Sequence, residues 1–295
     1  MILGPTASGK SALAVKIAKK INGEIISADS RQVYKGLDIG AGKITKKEMG
    51  GISHYCLNIV SPKKIFTVAD FKECAEKAIE KIFAKNKTPI IVGGTGLYIQ
   101  AIVDNIVLPE VKPNWKLRKE LEKKTTEEMF EMLKKLDPER AKNIDAKNPR
   151  RLIRAIEIAK KLGKTPKLKS MSRRDLDIGQ LDIGQIGIKL PDEILKKNIE
   201  KRIKKMLKNG LVSETNKLRK SGLSWKRIYE LGFEYKYPAL FLQNKIGKDE
   251  MLVKMLIENW QYAKRQMTWF KRDKRIKWIN FSTFSLSPRF FSSIL

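Results

Sequence analysis

Gly4-Pro5-Thr6-Ala7-Ser8-Gly9-Lys10-Ser11 satisfies the pattern G-x-x-x-x-G-K-[ST]. In such a stretch glycines let backbone N–H groups turn inward around a phosphate. Lys10 adds a point charge, and Ser11 offers a hydroxyl able to ligate Mg2+. Apolar residues at 13, 17, 18 and 21 predict a helix directly behind the loop, with its N-terminus aimed at the same anion. The pattern identifies a polyphosphate; it does not specify ATP. Asp29 follows the apolar run EIISA (24–28). Ligands gather at the carboxyl ends of strands in open α/β sheets, so its carboxylate should face the phosphate site. There it could hold Mg2+ through water or act as a general base; the plain alternative is a turn or helix-cap aspartate. Thr95 in VGGTGLY occupies the analogous place after 89–94, where Gly93, Gly94 and Gly96 either admit a substrate close to the backbone or simply make a turn.

A second group is cationic. Arg150, Arg151 and Arg154 fall on the first turns of a helix opened by Asn148-Pro149 and closed by Gly163, with Ile153 and Ile156 turned inward. Arg150 and Arg154 share a face at i and i+4, and guanidinium forks suit phosphates and nucleobases. A solvated charged face is the competing account. Arg202 borders the stripe Ile199–Ile203–Met206 and could reach an anion or stay at the surface. His54 stands alone and reads as a core or edge histidine.

These residues need a frame. EIISA (24–28) and PIIVGG (89–94) read as short buried strands. Helices are expected at 11–21 and at 67–85, the latter opened by a Thr67/Asp70 cap. Strands alternating with helices indicate a parallel α/β sheet. Only Met1-Ile2-Leu3 precede the phosphate loop, so the first strand should be short or the chain truncated there. From about 111 helix follows helix: 116–124, 126–136 with a Thr125/Glu128 cap, and 149–162. The tandem repeat LDIGQ-LDIGQ (176–185) leads into a strand, IGIKL (186–190). Helices follow at 191–210, 213–221, 225–231 and 249–272. FSTFSLSPRFFSSIL (281–295) reads as a loosely attached tail. The resulting division is an α/β core over 1–110, a helical insertion over 111–190, helices returning to the core over 191–280, and the tail.

Composition narrows the class. With two cysteines and one histidine among 295 residues, a disulfide framework is excluded, as is a zinc site built from those residue types. No apolar run approaches the ~18 residues of a membrane span, and no secretory leader is visible, so a soluble cytoplasmic protein is expected. Lys+Arg number 62 against 32 Asp+Glu, a net charge of +30. Residues 1–110 hold 16 basic and 10 acidic residues, which leaves 46 and 22, a net of +24, for the remainder. So lopsided an excess suggests a polyanion held mainly by the second part. Unaided, these residues fit a nucleic-acid-binding P-loop ATPase or kinase first. That reading predicts ATP turnover and a longer apolar strand before the acid than EIISAD provides.

GPTASGKS, ISADSRQVYKGLDIG, PIIVGGTGLYIQA, KNPRRLIRAIEI and AKRQMTWFK occur in the order and spacing of tRNA dimethylallyltransferases, and the chain resembles that family from residue 2 to about 280. The blocks D-S-x-Q, V-G-G-T and R-Q-x-T-W together are far more specific than the phosphate loop. The resemblance implies a P-loop NTPase-like parallel sheet core with a mainly helical inserted domain. It implies transfer of a dimethylallyl group from dimethylallyl diphosphate to N6 of adenosine 37, next to the anticodon in tRNA, by a monomer. Gly4, Pro5, Thr6, Ala7, Ser8, Gly9, Lys10 and Ser11 would hold the diphosphate with Mg2+ at Ser11, and Arg202 would lie on the diphosphate side. Asp29 resembles the general base, with Ser30, Arg31 and Gln32 lining the base pocket. Thr95, Arg118 and the segment Arg150, Arg151, Leu152, Ile153 and Arg154 are similar to residues that touch the anticodon stem-loop. Two positions depart from the family pattern: Asn58 stands where an acid is usual, and Asn198 where an arginine commonly precedes Arg202 by one turn. An adenylate isopentenyltransferase shares the loop, but a mononucleotide needs neither the +24 second part nor the arginine helix.

Overall fold

The computed structural model describes residues 1–166 and 183–280. The tail 281–295 and the first seven residues of the LDIGQ repeat lie outside them. The described residues form two compact units, one from residues 1–103 and 183–280, the other from residues 104–166.

The first unit is built on a six-stranded parallel sheet: β1 (Ile2–Leu3), β2 (Gly23–Ala28), β3 (His54–Tyr55), β4 (Thr88–Gly93), β5 (Ile186–Lys189) and β6 (Lys277–Asn280), in the spatial order β3-β2-β4-β1-β5-β6. A two-residue β1 suffices because it is central. Ile2 and Leu3 pair with Val92 and Gly93 on one side and with Ile186 and Gly187 on the other. Successive side chains point to opposite faces of a strand, so the pairs Ile25/Ile26 and Ile90/Ile91 divide between two cores. Ile25 and Ile90 join Leu13, Ala14 and Ile17 of α1 (Lys10–Lys20). Ile26 and Ile91 join Phe71, Ile79 and Ile82, with Tyr98 and Ile99.

A four-residue helix α2 (Lys46–Met49) precedes β3. Helix α3 (Val68–Phe83) begins at the Thr67/Asp70 capping box, a device that contributes about 1 kcal/mol. The next helix is α4 (Gly96–Val103), which the glycine-rich sequence does not announce.

In the second unit lie α5 (Trp115–Leu121), α6 (Thr126–Leu136), α7 (Pro138–Lys142) and α8 (Pro149–Leu162). Their core is Leu117, Leu121, Met129, Leu133, Leu152 and Ile156. The chain then re-enters the first unit. IGIKL, read from sequence with the helical insertion, is a sheet strand, β5.

Five further helices belong to the first unit: α9 (Asp192–Lys208), α10 (Leu211–Lys220), α11 (Trp225–Glu230), α12 (Phe233–Leu242) and α13 (Lys248–Phe270). They share one large core around Ile203, Leu211, Ile228, Tyr235 and Met255. Sequence periodicity leaves 233–242 without an element, because Pro238 interrupts it and its apolar residues lie on all sides. Among the described residues no helix is long and apolar enough to cross a membrane.

Candidate active site

The phosphate-loop residues sit at the carboxyl end of β1. Gly4 has φ 147°, and a Cβ there would lie 2.9 Å from the Ile188 carbonyl oxygen, so only glycine fits. Ala7 (φ 60°) and Gly9 (φ 87°) also adopt left-handed backbone, which turns successive N–H groups toward one side. Ser8 is 2% exposed, and its hydroxyl has no hydrogen-bond partner among the described residues. A buried hydroxyl of that kind costs free energy until something accepts from it, and a phosphate oxygen in the loop is suited to do so. Ser11 is exposed on the first turn of α1.

Lys10 Nζ donates to the Pro5 carbonyl at 2.5 Å. Burial, reinforced by the Arg202 guanidinium and opposed by Asp29, pushes the Lys10 pKa down to about 7. A diphosphate beside it would restore the charged form. Above pH 7 the complex therefore holds a proton that the free protein lacks, and affinity must fall as pH rises; below pH 7 it levels off. Inorganic diphosphate is expected to bind roughly twentyfold more weakly at pH 8.5 than at pH 6.5. The reference is Lys10→Arg, charged throughout and subject to the same ligand titration. Calorimetry giving parallel pH profiles for the two proteins would discard this account.

Asp29 follows β2, the second neighbour of β1 beyond β4. Its Oδ1 accepts from the Arg31 N–H (2.8 Å) and the Gln32 N–H (3.3 Å). These bonds fix the carboxylate while Oδ2 makes no hydrogen bond among the described residues. Thr95 follows β4, and its Oγ1 accepts from Ser30 N–H at 3.1 Å. Gln32 is fully engaged: Ser27 Oγ donates to its Oε1 (2.9 Å), and its Nε2 donates to the Ala41 and Gly42 carbonyls. Arg202, on α9, donates to the Thr6 hydroxyl. One turn earlier Asn198 donates to the Ala7 carbonyl at 3.4 Å. Asn58, the other departure, accepts from Lys43. His54 lies half-buried on the edge strand β3.

Three site residues are not legible as site residues in the sequence. Gln266, on α13, accepts from Thr6 N–H and donates to the Gly94 carbonyl, both at 2.8 Å, stapling the phosphate loop to the turn after β4. It belongs to the R-Q-x-T-W block, which was its only signal. Glu234, on α12, has its pKa pushed up to about 7 by burial, against the pull of Arg202 and Arg31 and with Asp29 adding to the rise. Tyr262, on α13, lies near Thr95 and Asp29, and burial raises its pKa.

The second unit carries the other predicted residues. Asn148 Oδ1 caps α8 by accepting from Arg151 N–H (3.2 Å), with Pro149 in its first turn. Arg150 and Arg151 are exposed, and among the described residues the Arg151 guanidinium makes a long 3.8 Å approach to Asp145. Arg118 and Arg154 behave differently. Both converge on Glu157, which is buried: Arg118 forks onto it at 2.8 Å twice, and Arg154 reaches it at 2.9 Å. Leu152 (0% exposed) and Ile153 (9%) are core residues. Their side chains point inward because the apolar face of α8 must be buried, which leaves little side chain exposed for the expected contact with tRNA. A groove of about 540 Å³ on this unit is lined by Lys112, Lys116, Lys160 and Lys161, with Glu120 and Glu157 among its walls.

The parallel sheet with helices around it and the loop 4–11 after its central strand β1 is a P-loop NTPase-like fold, as its likeness to the solved structures below bears out. The family model described as IPP transferase matches residues 32–273. A tRNA dimethylallyltransferase of Acetivibrio thermocellus is 39% identical over 298 aligned positions, covering 100% of this chain and 95% of that protein. One from a Thermoanaerobacter species is 41% identical, covering 94% and 90%. Among solved structures, the tRNA isopentenylpyrophosphate transferase of Bacillus halodurans superposes with a TM-score of 0.72 at 32% identity, covering 99% and 92%. A eukaryotic dimethylallyltransferase captured acting on tRNA gives 0.78 at 27%, covering 99% and 76%. The chain belongs to the IPP transferase family.

Proposed function

We propose that the chain transfers a dimethylallyl group from dimethylallyl diphosphate to N6 of adenosine 37 in tRNA, releasing diphosphate. The observation that carries this reading is the Asp29 carboxylate, held by two backbone N–H groups with one oxygen left over, in the same unit as the phosphate loop. An exocyclic adenine amine is a weak nucleophile. Asp29 Oδ2 accepts its proton as the C–N bond forms, while the allylic C–O bond breaks and diphosphate leaves with the electron pair. Negative charge growing on the leaving group is met by Lys10, Arg202, the loop N–H groups and the Ser8 hydroxyl. Ser30, Arg31 and Thr95 border the space for the base. Gln32 acts through the loop it holds rather than as a free side chain.

No group of three or more His, Cys, Asp or Glu able to hold a metal occurs among the described residues. A metal here would therefore be held mostly by diphosphate oxygens, as suits Mg2+, with Ser11 as the protein ligand. Mg2+ bound in this way would neutralise charge on the leaving group.

A stacked adenine cannot reach a carboxylate, so the base must be turned out and the stem-loop gripped by cations. On the second unit Arg150, Arg151 and the lysines of the groove serve that role. Arg150→Ala and Arg151→Ala should each weaken tRNA binding about three- to tenfold and reduce the salt slope by roughly one. Filter binding across salt concentrations measures this, and unchanged slopes would return the helix face to solvent. The reading includes action as a cytoplasmic monomer.

The decisive experiment incubates the protein with dimethylallyl diphosphate and tRNA transcripts, followed by nucleoside mass analysis. No mass gain on any transcript with adenosine 37, together with robust ATP hydrolysis, would overturn the proposal in favour of a P-loop ATPase.

A further inference from the structure

Glu214, on α10, takes no part in the chemistry above, yet its carboxylate accepts four hydrogen bonds. Oε2 receives the N–H groups of Asp38 (3.0 Å) and Ile39 (2.8 Å), and Oε1 receives Gly40 N–H (3.0 Å) and the Tyr235 hydroxyl (2.8 Å). Three consecutive backbone N–H groups converging on one point form an anion nest, here filled by an acid some 175 residues further along the chain.

The loop fixed in this way, residues 38–42, has neither helix nor strand to hold it. On one side Tyr235 packs against Gly40, where a Cβ would meet the ring at 2.5 Å. At the far end Gly42 lies against the Arg202 guanidinium, which a side chain at that position would displace. The Ala41 and Gly42 carbonyls also hold Gln32 Nε2. Arg202 is therefore confined between this loop and the Thr6 hydroxyl of the phosphate loop. A guanidinium can stabilise a leaving diphosphate only if it is already in place when charge develops. The loop is the outer wall of that placement, and Glu214 is what fixes the wall.

We propose that Glu214 is a positioning residue of the diphosphate site: its carboxylate anchors loop 38–42, and the anchored loop holds Arg202 against the phosphate loop. The inference rests on the prenyl-transfer reading of the site.

The test is calorimetric binding of inorganic diphosphate to the full chain as wild type, Glu214→Gln, Tyr235→Phe, Arg202→Ala and the Glu214→Gln/Arg202→Ala pair, with thermal unfolding of each. Glutamine keeps the shape but turns an NH2 toward donors that need an acceptor. Glu214→Gln should weaken diphosphate binding about tenfold, and Tyr235→Phe about two- to threefold. In the Arg202→Ala background Glu214→Gln should have no further effect, the non-additivity expected when one residue acts through another. A merely structural Glu214 would lower the unfolding temperature while leaving affinity alone, or would weaken binding equally in both backgrounds; either result overturns the proposal. Should Glu214→Gln fail to fold, Tyr235→Phe carries the test, and wild-type affinity in that variant is equally fatal. A wild type that does not bind diphosphate defeats the functional reading itself. A wild type that binds, weakened by Arg202→Ala but not by Glu214→Gln or Tyr235→Phe, defeats only the role given to Glu214.

Discussion

Asp29→Asn is expected to reduce prenyl transfer by about 10²- to 10⁴-fold, the range for losing a positioned proton acceptor, with tRNA and diphosphate affinities changed by less than about threefold. Asparagine retains the Oδ1 that accepts from Arg31 and Gln32 N–H, so the turn after β2 stays closed. What it replaces is the unbonded Oδ2, with a nitrogen that cannot take a proton. Single-turnover transfer, measured beside filter binding, separates the two effects. Near-normal turnover would remove Asp29 as base and turn attention to Glu234. A parallel loss of tRNA binding would mean that Asp29 holds the substrate rather than deprotonating it.

Glu157→Ala is expected to unfold the unit of residues 104–166 more readily than any surface change there. The carboxylate is 1% exposed by side chain and receives four bonds, from Arg118 twice, Arg154 once and Asn114 N–H. Burial opposes its ionisation, but these bonds outweigh burial and hold its pKa below the usual carboxylate range. A carboxylate depressed on folding contributes stability that is present above the unfolded pKa and is lost as pH falls through the folded one. Breaking a buried pair typically costs 3–5 kcal/mol. Arg118 and Arg154 are 25% and 37% exposed and can rehydrate, so about 2–4 kcal/mol is expected here. Urea unfolding with hydrogen exchange across residues 104–166 measures it, and a change under about 0.5 kcal/mol would sink the claim. Arg118→Ala and Arg154→Ala should then lose tRNA affinity only in proportion to the stability they lose, unlike Arg150 and Arg151.

That contrast shows where reading a sequence succeeds. The phosphate loop, the Thr67/Asp70 and Thr125/Glu128 caps and the Asn148-Pro149 helix start are local devices: a few adjacent residues carry both the signal and the cause. The arginine cluster on α8 was visible in the same way, but its division into exposed Arg150 and Arg151 and engaged Arg154 was not. The division is made by Glu157, whose other partner Arg118 is 39 residues away. Glu214 is silent in the sequence for the same reason, and Gln266 is marked only by its family block, not by its role. Each bonds to backbone more than 170 residues distant, and nothing in the local spacing of a helical Gln or Glu marks such a partner. Helix α12 was missed because Pro238 and all-round burial remove the periodicity by which helices are recognised.

The staple formed by Gln266 also constrains how this sequence can drift. A Cβ at Gly94 would collide with the Gln266 amide, and one at Gly96 with the Trp269 ring. The V-G-G-T-G turn and the R-Q-x-T-W helix end are thus a lock and its key, cut 172 residues apart. Neither can be exchanged for a relative's version alone unless the other half already matches. Lineages should inherit the two blocks together or lose the phosphate loop's support with either, and grafts between distant relatives should carry both.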